Sequence, residues 1–304
     1  MKNVTRRGYL TRGMTGAMIG LLALSSGCRR PSTDADSSMV QIKGSDTIVN
    51  ANQKLSEEFM KVNPEIFVAV TGGGSGVGIA SLINQSCNLA AASREMTAKE
   101  ITMAQQRGVE PKEIVVAFDG IAVIVHPNNP VRRLTIGELH RIFTGKTTNW
   151  KEFGWKDLPI VTLSREVSSG TYAYFKEVVI HLGKTGDQTE FCPKTLMLSS
   201  SQAIVEETVS NEASIGYLGM GYVSDRTQSV EVAKDEATGY YLPTLAAVMS
   251  KQYPLARPLY FYSNGEPRGS TKLFVDYALS PSGQRQFVET GFVPLEQTNA
   301  TKTQ

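Results

Sequence analysis

The chain has 304 residues, 41% of them hydrophobic and 20% charged, with a formal net charge of +2. That length allows one large or two medium domains with a proper core, and the composition is that of an ordinary soluble globular protein. Residues 1–27 carry Lys2, Arg6, Arg7 and Arg12 and no acidic residue, so the remainder stands at −2; a body this close to neutral lacks the basic face nucleic acid requires, which argues against that partner.

The first 28 residues read as an address rather than as fold. A basic stretch, MKNVTRRGYLTRG, leads into the apolar run MTGAMIGLLALSSG and then Cys28. The run is too short to stay in a bilayer, which takes about 20 residues. Thr5-Arg6-Arg7-Gly8-Tyr9-Leu10 resembles a twin-arginine export signal. Leu24-Ser25-Ser26-Gly27-Cys28 resembles the bacterial lipobox, although Leu24 sits one place too far from the cysteine. The expectation is an export signal over 1–27, an acylated Cys28 and a flexible tether over 28–39, rich in Ser and Asp. That places the protein in the periplasm or on the outer face of the cell membrane, held by lipid; a plain secretory signal cleaved near Gly27 is the alternative. Of the other cysteines, Cys87 and Cys192 fall in different expected lobes and are read as buried free thiols. His126, His140 and His181 are scattered without ligand spacing, so neither metal nor cofactor is expected.

From Met39 onward strand and helix patterns alternate, the signature of an α/β fold. MVQIKG reads as a strand and SDTIVNANQKLSEEFMKVNP as a helix, with Ser45 or Asp46 at its N-cap and Asn63-Pro64 as its stop. EIFVAVT is the next strand, GGGSGVG a glycine loop into the helix GIASLINQS, and CNLAAAS a buried strand. TAKEITMAQQRG is an amphipathic helix, and EIVVAFDGIAVIVHP a long strand segment with a break at Asp119-Gly120. Then come the helix LTIGELHRIFTG, the strand DLPIVTLSRE, and VSSGTYAYFKEVVIHLG as loop plus helix. QAIVEETVSNE is helical, SIGYLGMGYV and RPLYFYS are β-rich, and TKLFVDYALSPSGQRQFVETG supplies the last helices. The long β-rich stretches at 114–126 and 256–263 bracket a central block. They predict a discontinuous first lobe (40–122 plus 257–304) and an inserted second lobe (123–256), each a mixed sheet flanked by helices, hinged by two crossing strands.

Four segments share a design in which a strand ends, small or hydroxyl residues follow, and a helix begins: Gly44-Ser45-Asp46-Thr47, Gly72-Gly73-Gly74-Ser75-Gly76, Ala92-Ser93-Arg94 and Ser168-Ser169-Gly170-Thr171. The first turn of a helix leaves N–H groups unpaired and carries partial positive charge, so an anion can dock there. One such turn is more often only a cap. Four of them, with Arg165 four residues before Ser169 as a fixed cation and bidentate donor, point to an oxyanion held between the lobes.

Residues 40–295 resemble the phosphate-binding proteins of bacterial ABC importers, the PstS family, through IKGSDTIV, TGGGSGVGI, AAASREM, DGIAVIV, LTIGELHRIFTGKTTNW, LSREVSSGTYAYF and SIGYLGMGYV in order. The resemblance implies a two-lobe fold of the type II periplasmic-binding-protein kind. It also implies ligand positions at Thr47, Ile48 (through its backbone N–H), Ser75, Ser93, Arg165, Ser169, Gly170 and Thr171, with Ser45 in the same first turn. Two departures matter. Arg94 stands where some members have an Asp that accepts the proton of phosphate, and Val167 where some have an Asp paired to the arginine. Asp119 is favoured over Asp46 as the replacement acceptor, Arg94 as a second cation, and Glu166 as the substitute partner for Arg165.

The implied function is that of an importer's solute receptor, a monomer without cofactor that captures inorganic phosphate and delivers it to an ABC permease in the inner membrane. The same build could serve sulfate, molybdate or tungstate, or phosphate sensing or adhesion at the surface. A phosphate-ester enzyme fits poorly. Ile79 and Ala80 follow Gly78 where a P-loop needs Lys and Ser/Thr, and Val77 stands where a nucleophile elbow needs glycine.

Overall fold

A computed structural model describes residues 38–295. The export signal, Cys28, nearly all of the tether and the polar C-terminal tail lie outside them.

The first helices and strands run β1 (Met39–Gly44), α1 (Val49–Val62), β2 (Phe67–Thr71), α2 (Ser75–Ile83), β3 (Leu89–Ala92), α3 (Ala98–Gln106) and β4 (Pro111–Val125). There follow β5 (Arg133–Thr135), α4 (Ile136–Phe143), β6 (Val161–Arg165), α5 (Gly170–Phe175), β7 (Leu196–Leu198), α6 (Ser201–Ser210), β8 (Ser214–Gly219), β9 (Gln228–Ala233) and α7 (Leu245–Met249). The chain then returns through β10 (Ala256–Asn264) to α8 (Gly269–Leu279) and α9 (Pro281–Glu289). Strand order is β2-β1-β3-β10-β4-β8-β6-β7, with β9 beside β4 and β5. Parallel pairs join β1 to β2 and β3, and β6 to β7 and β8; β10 and β4 run antiparallel to their neighbours.

The expected break at Asp119-Gly120 is absent, because β4 runs straight through it. What changes there is the neighbour. β10 accompanies β4 as far as the pair Ala256↔Gly120, and β8 takes over from Ile121↔Gly219. One strand therefore serves two sheets, and its run from Ile121 to Val125 is fully buried, as a strand covered on both faces should be.

The apolar side chains separate into clusters along the same line. Val40, Ile42, Ile48, Leu55, Phe59, Val116, Phe261 and Phe274 pack in one cluster with α8 and α9, and Ile79, Leu82, Ala92 and Tyr260 in another beside it. Past Asp119, Ile121, Val123, Leu139, Phe143, Trp150, Phe175 and Tyr217 form a further core, extended by Ala122, Leu163, Ile204 and Leu218. Val293 joins this last core although it lies near the C-terminal end of the described chain.

Local signals explain most helix starts. Thr97 and Thr135 each close a capping box with a glutamate three residues on, Glu100 and Glu138. Thr135→Ala is expected to cost about 1 kcal/mol, read as a lower thermal midpoint with ligand binding unchanged. Helix α1 departs from expectation. It starts at Val49 with Ile48 at the N-cap and no side-chain cap: the Asp46 carboxylate pairs with Arg165, and the Ser45 hydroxyl makes no hydrogen bond to the helix start. Cys87 and Cys192 are free thiols, half-buried rather than fully so. Burial pushes the Cys87 thiol up to about 11, with Lys43 opposing, which leaves it a poor nucleophile.

Candidate functional site

The four strand-to-helix turns meet where the two halves of the fold face each other. Thr47, after β1, lies with its Oγ1 2.7 Å from that of Thr171 in α5 and 3.5 Å from Ser93 Oγ after β3. Ser75, the first residue of α2, stands 3.3 Å from Ser93 Oγ and accepts the Ser93 N–H at 3.0 Å. All four hydroxyls are buried. Gly170 closes the ring from the opposite side: a Cβ built on it would fall 2.3 Å from Ser75 Oγ and 2.6 Å from Ser93 Oγ. Only a hydrogen atom fits there.

The backbone continues the contact. Gly74, the N-cap of α2, has φ +96°, a conformation L side chains avoid, and a Cβ there would meet Ser168 O at 2.8 Å. The Gly76 N–H donates to that same Ser168 carbonyl at 2.9 Å. Neither α1 nor α2 has a side-chain cap, so both present first-turn N–H groups without that partner. Ser45 Oγ is buried without a hydrogen-bond partner among the described residues. Ser169 is less available, since its hydroxyl accepts the Thr171 and Tyr172 N–H groups as the N-cap of α5.

The charged residues are distributed differently from expectation. Arg165 is 1% exposed and forms an ion pair with Asp46 at 3.0 Å across the two halves, not with Glu166. Its remaining donors go to Ser201 Oγ and the Leu198 and Ser199 carbonyls. Asp46 also accepts the Ser201 N–H and hydroxyl, while Tyr222 Oη donates to the Asp46 carbonyl at 2.9 Å. Burial pushes the Arg165 guanidinium down from its ordinary value, and Asp46 opposes the shift. Val167, by contrast, is 74% exposed.

Arg94 is not brought into the hydroxyl cluster as the expected second cation, because its fork is held by both Glu100 oxygens at 2.8 Å and by the Glu95 carbonyl. A bidentate carboxylate in the adjacent capping box outcompetes a longer reach. Burial pushes the Glu100 carboxyl up, but Arg94 and Thr97 outweigh it and hold it below its ordinary value of 4.5. A depressed carboxylate stabilises the fold above its unfolded pKa, and that contribution disappears as pH falls through the folded value. The Tm gap between wild type and Glu100→Gln is therefore expected to be full at pH 7 and to close below pH 4.5. A gap unchanged at pH 3 would remove this pairing as its source.

Asp119 is completely buried, and its partner is a residue the sequence reading missed. Arg257 on β10 sits directly opposite it in the β10–β4 register. Its Nε and Nη2 reach Asp119 Oδ2 at 3.0 and 2.7 Å, and the Met220 N–H reaches Oδ1 at 3.0 Å. Arg257 also donates to Thr171 Oγ1 at 2.8 Å and to the Ser93 carbonyl at 2.9 Å. The signal was present in RPLYFYS: a charge at the edge of an apolar crossing strand, the same oddity that singled out Asp119.

Chemically, the site is a knot of hydroxyls and uncapped helix starts, with a neutral ion pair beneath it. Its hydroxyls bond to one another at 2.7–3.5 Å. An entering oxyanion exchanges these neutral bonds for charge-assisted ones of roughly twice the strength. Among the described residues, no group of three His, Cys, Asp or Glu could hold a metal ion.

Residues 30–282 match the model of the PBP superfamily domain. A phosphate-binding protein PstS from Staphylococcus saprophyticus is 30% identical, covering 86% of this chain and 82% of its own. A namesake from Pseudomonas aeruginosa is 29% identical over 85% and 84%. In three dimensions the chain is similar to a Clostridium perfringens protein solved as a phosphate ABC transporter substrate-binding protein with bound phosphate. The TM-score is 0.76 at 31% identity, covering 85% of this chain and all of that one.

Proposed function

The chain belongs to the PBP superfamily and, within it, to the PstS family, and from that premise we propose that it is the solute-binding component of an ABC importer, capturing inorganic phosphate between its lobes and delivering it to a membrane permease. The observation that carries the reading is the convergence of Thr47, Ser75, Ser93 and Thr171 from separate turns on one buried point, with Gly170 pressed against two of them. Such a cluster donates to a small tetrahedral anion and offers no nucleophile activated by a base, so binding without turnover suits it.

In this reading the lobes are 40–122 plus 257–304 and 123–256, and phosphate is held by Thr47, Ser75, Ser93, Gly170 and Thr171, with the first-turn N–H of Ile48. Ser45 and Ser169 line the same turns, and Asp119 is the acceptor that reads the phosphate proton. The receptor is exported, works as a monomer and is held at the membrane by lipid on Cys28. No helix among the described residues is long and apolar enough to cross a membrane.

Calorimetric titration of ligand-stripped protein tests the reading. Phosphate is expected to bind, arsenate to compete and sulfate to fail. Tighter binding of sulfate or molybdate than of phosphate would reassign the receptor. Asp119→Asn is expected to narrow the preference for phosphate over sulfate by about tenfold, the worth of one hydrogen bond to a charged group. An unchanged ratio removes Asp119 as the selecting group.

A further inference from the structure

The geometry points to Arg257 as the residue that makes this site receptive to an anion: it neutralises Asp119 and locks the surrounding hydroxyls as donors. The inference rests on the phosphate-receptor reading above and adds a specificity-determining residue to it.

A hydroxyl has one proton and two lone pairs, so a cluster of hydroxyls can face a guest as donors or as acceptors. Arg257 removes that freedom. Its Nη2 donates to Thr171 Oγ1 at 2.8 Å and approaches Thr47 Oγ1 at 3.5 Å. A guanidinium never loses its proton in a protein, so it acts only as a donor. With one lone pair of Thr171 occupied and its hydroxyl 2.7 Å from that of Thr47, the pair holds one proton between them and keeps the other for an incoming oxygen. Through Nη1, Arg257 also grips the Ser93 carbonyl, fixing the turn that carries the Ser93 hydroxyl.

Asp119 poses the second problem. A buried carboxylate beside an anion site repels its guest unless its charge is compensated. Arg257 places two donors on Oδ2, and the Met220 N–H takes Oδ1. One lone pair of Oδ1 stays free to accept the proton that monohydrogen phosphate carries and sulfate lacks. Both residues sit on the crossing strands, opposite each other, so the pair stays intact when the lobes move. Arg165 is bound instead to Asp46 and Ser201.

Phosphate calorimetry at pH 8 on wild type, Arg257→Gln, Asp119→Asn and the double variant Arg257→Gln/Asp119→Asn tests this. Arg257→Gln is expected to bind phosphate at least about 100-fold more weakly at pH 8, since it leaves Asp119 charged and unpaired. Adding Asp119→Asn should recover about tenfold, because it removes the charge left without a partner. If Arg257→Gln does not fold, the neutral double variant is read against Asp119→Asn alone: phosphate binding at least about tenfold below that single variant supports the role. Binding by Arg257→Gln within about threefold of wild type, or by the double variant within about threefold of Asp119→Asn, overturns it. Wild-type protein that ignores phosphate overturns the receptor reading itself, and this inference with it.

Discussion

Gly170→Ala is expected to weaken phosphate binding by about 30- to 100-fold, the equivalent of 2–3 kcal/mol of overpacking, while barely changing the melting of the ligand-free protein. The added methyl group would lie 2.3 Å from Ser75 Oγ, 2.6 Å from Ser93 Oγ and 3.1 Å from Ser75 Cβ. Turning the serine aside does not relieve this, because Ser75 Oγ accepts the Ser93 N–H and the rotation would forfeit that bond. The clash exists only when the two halves of the fold are together. Apart, alanine at the first position of α5 is a better helix former than glycine. The variant thus separates closure from folding: calorimetry reads the lost affinity and small-angle scattering a protein that stays open in excess phosphate. Affinity unchanged within about threefold would mean that closure does not bring these groups together.

Arg165→Ala should be nearly as damaging, by a different route. The guanidinium is fully buried, and Asp46 across the interface is mostly so. Removing one member of such a pair leaves the other desolvated and unpaired, at a cost of about 3–5 kcal/mol when both are fully buried and less here because Asp46 retains some exposure. A loss of about 2 kcal/mol, or 30-fold in phosphate affinity, is the expected result. Because Arg165 joins Asp46 and Ser201 in one latch, Asp46→Ala should produce a similar loss and the double variant little more. Should Asp46→Ala bind phosphate normally while Arg165→Ala does not, Arg165 would be a direct ligand of the anion rather than part of a latch.

The latch and the buried pair also mark where reading residues in order stops being informative. Arg165 stood out for its position before Ser169-Gly170, but nothing along the chain ties it to Asp46, 119 residues earlier. Arg94 stood out for its place after β3, yet a glutamate six residues on claims it. Competition among several possible partners is settled by distance and burial, which a linear pattern does not contain.

Periodicity and turn chemistry carried the rest. Alternating strand and helix patterns foretold most of the larger elements, and the run at 114–126 foretold a crossing strand, because burial on both faces demands continuous apolar residues. Short elements such as β5, β7 and α7 left no such trace; three to five residues hold too little pattern to stand apart from loop. The turns Gly44–Thr47, Gly72–Gly76 and Ser168–Thr171 were legible as anion-ready since that chemistry is local: a helix start, a small residue and a hydroxyl within a few positions. Which partners the charged residues take was decided by tertiary structure alone. Arg257 and Asp119 each stand out as a charge in an apolar strand, but they meet only because β10 and β4 run antiparallel in one register, and a pairing across 138 residues is made by that register.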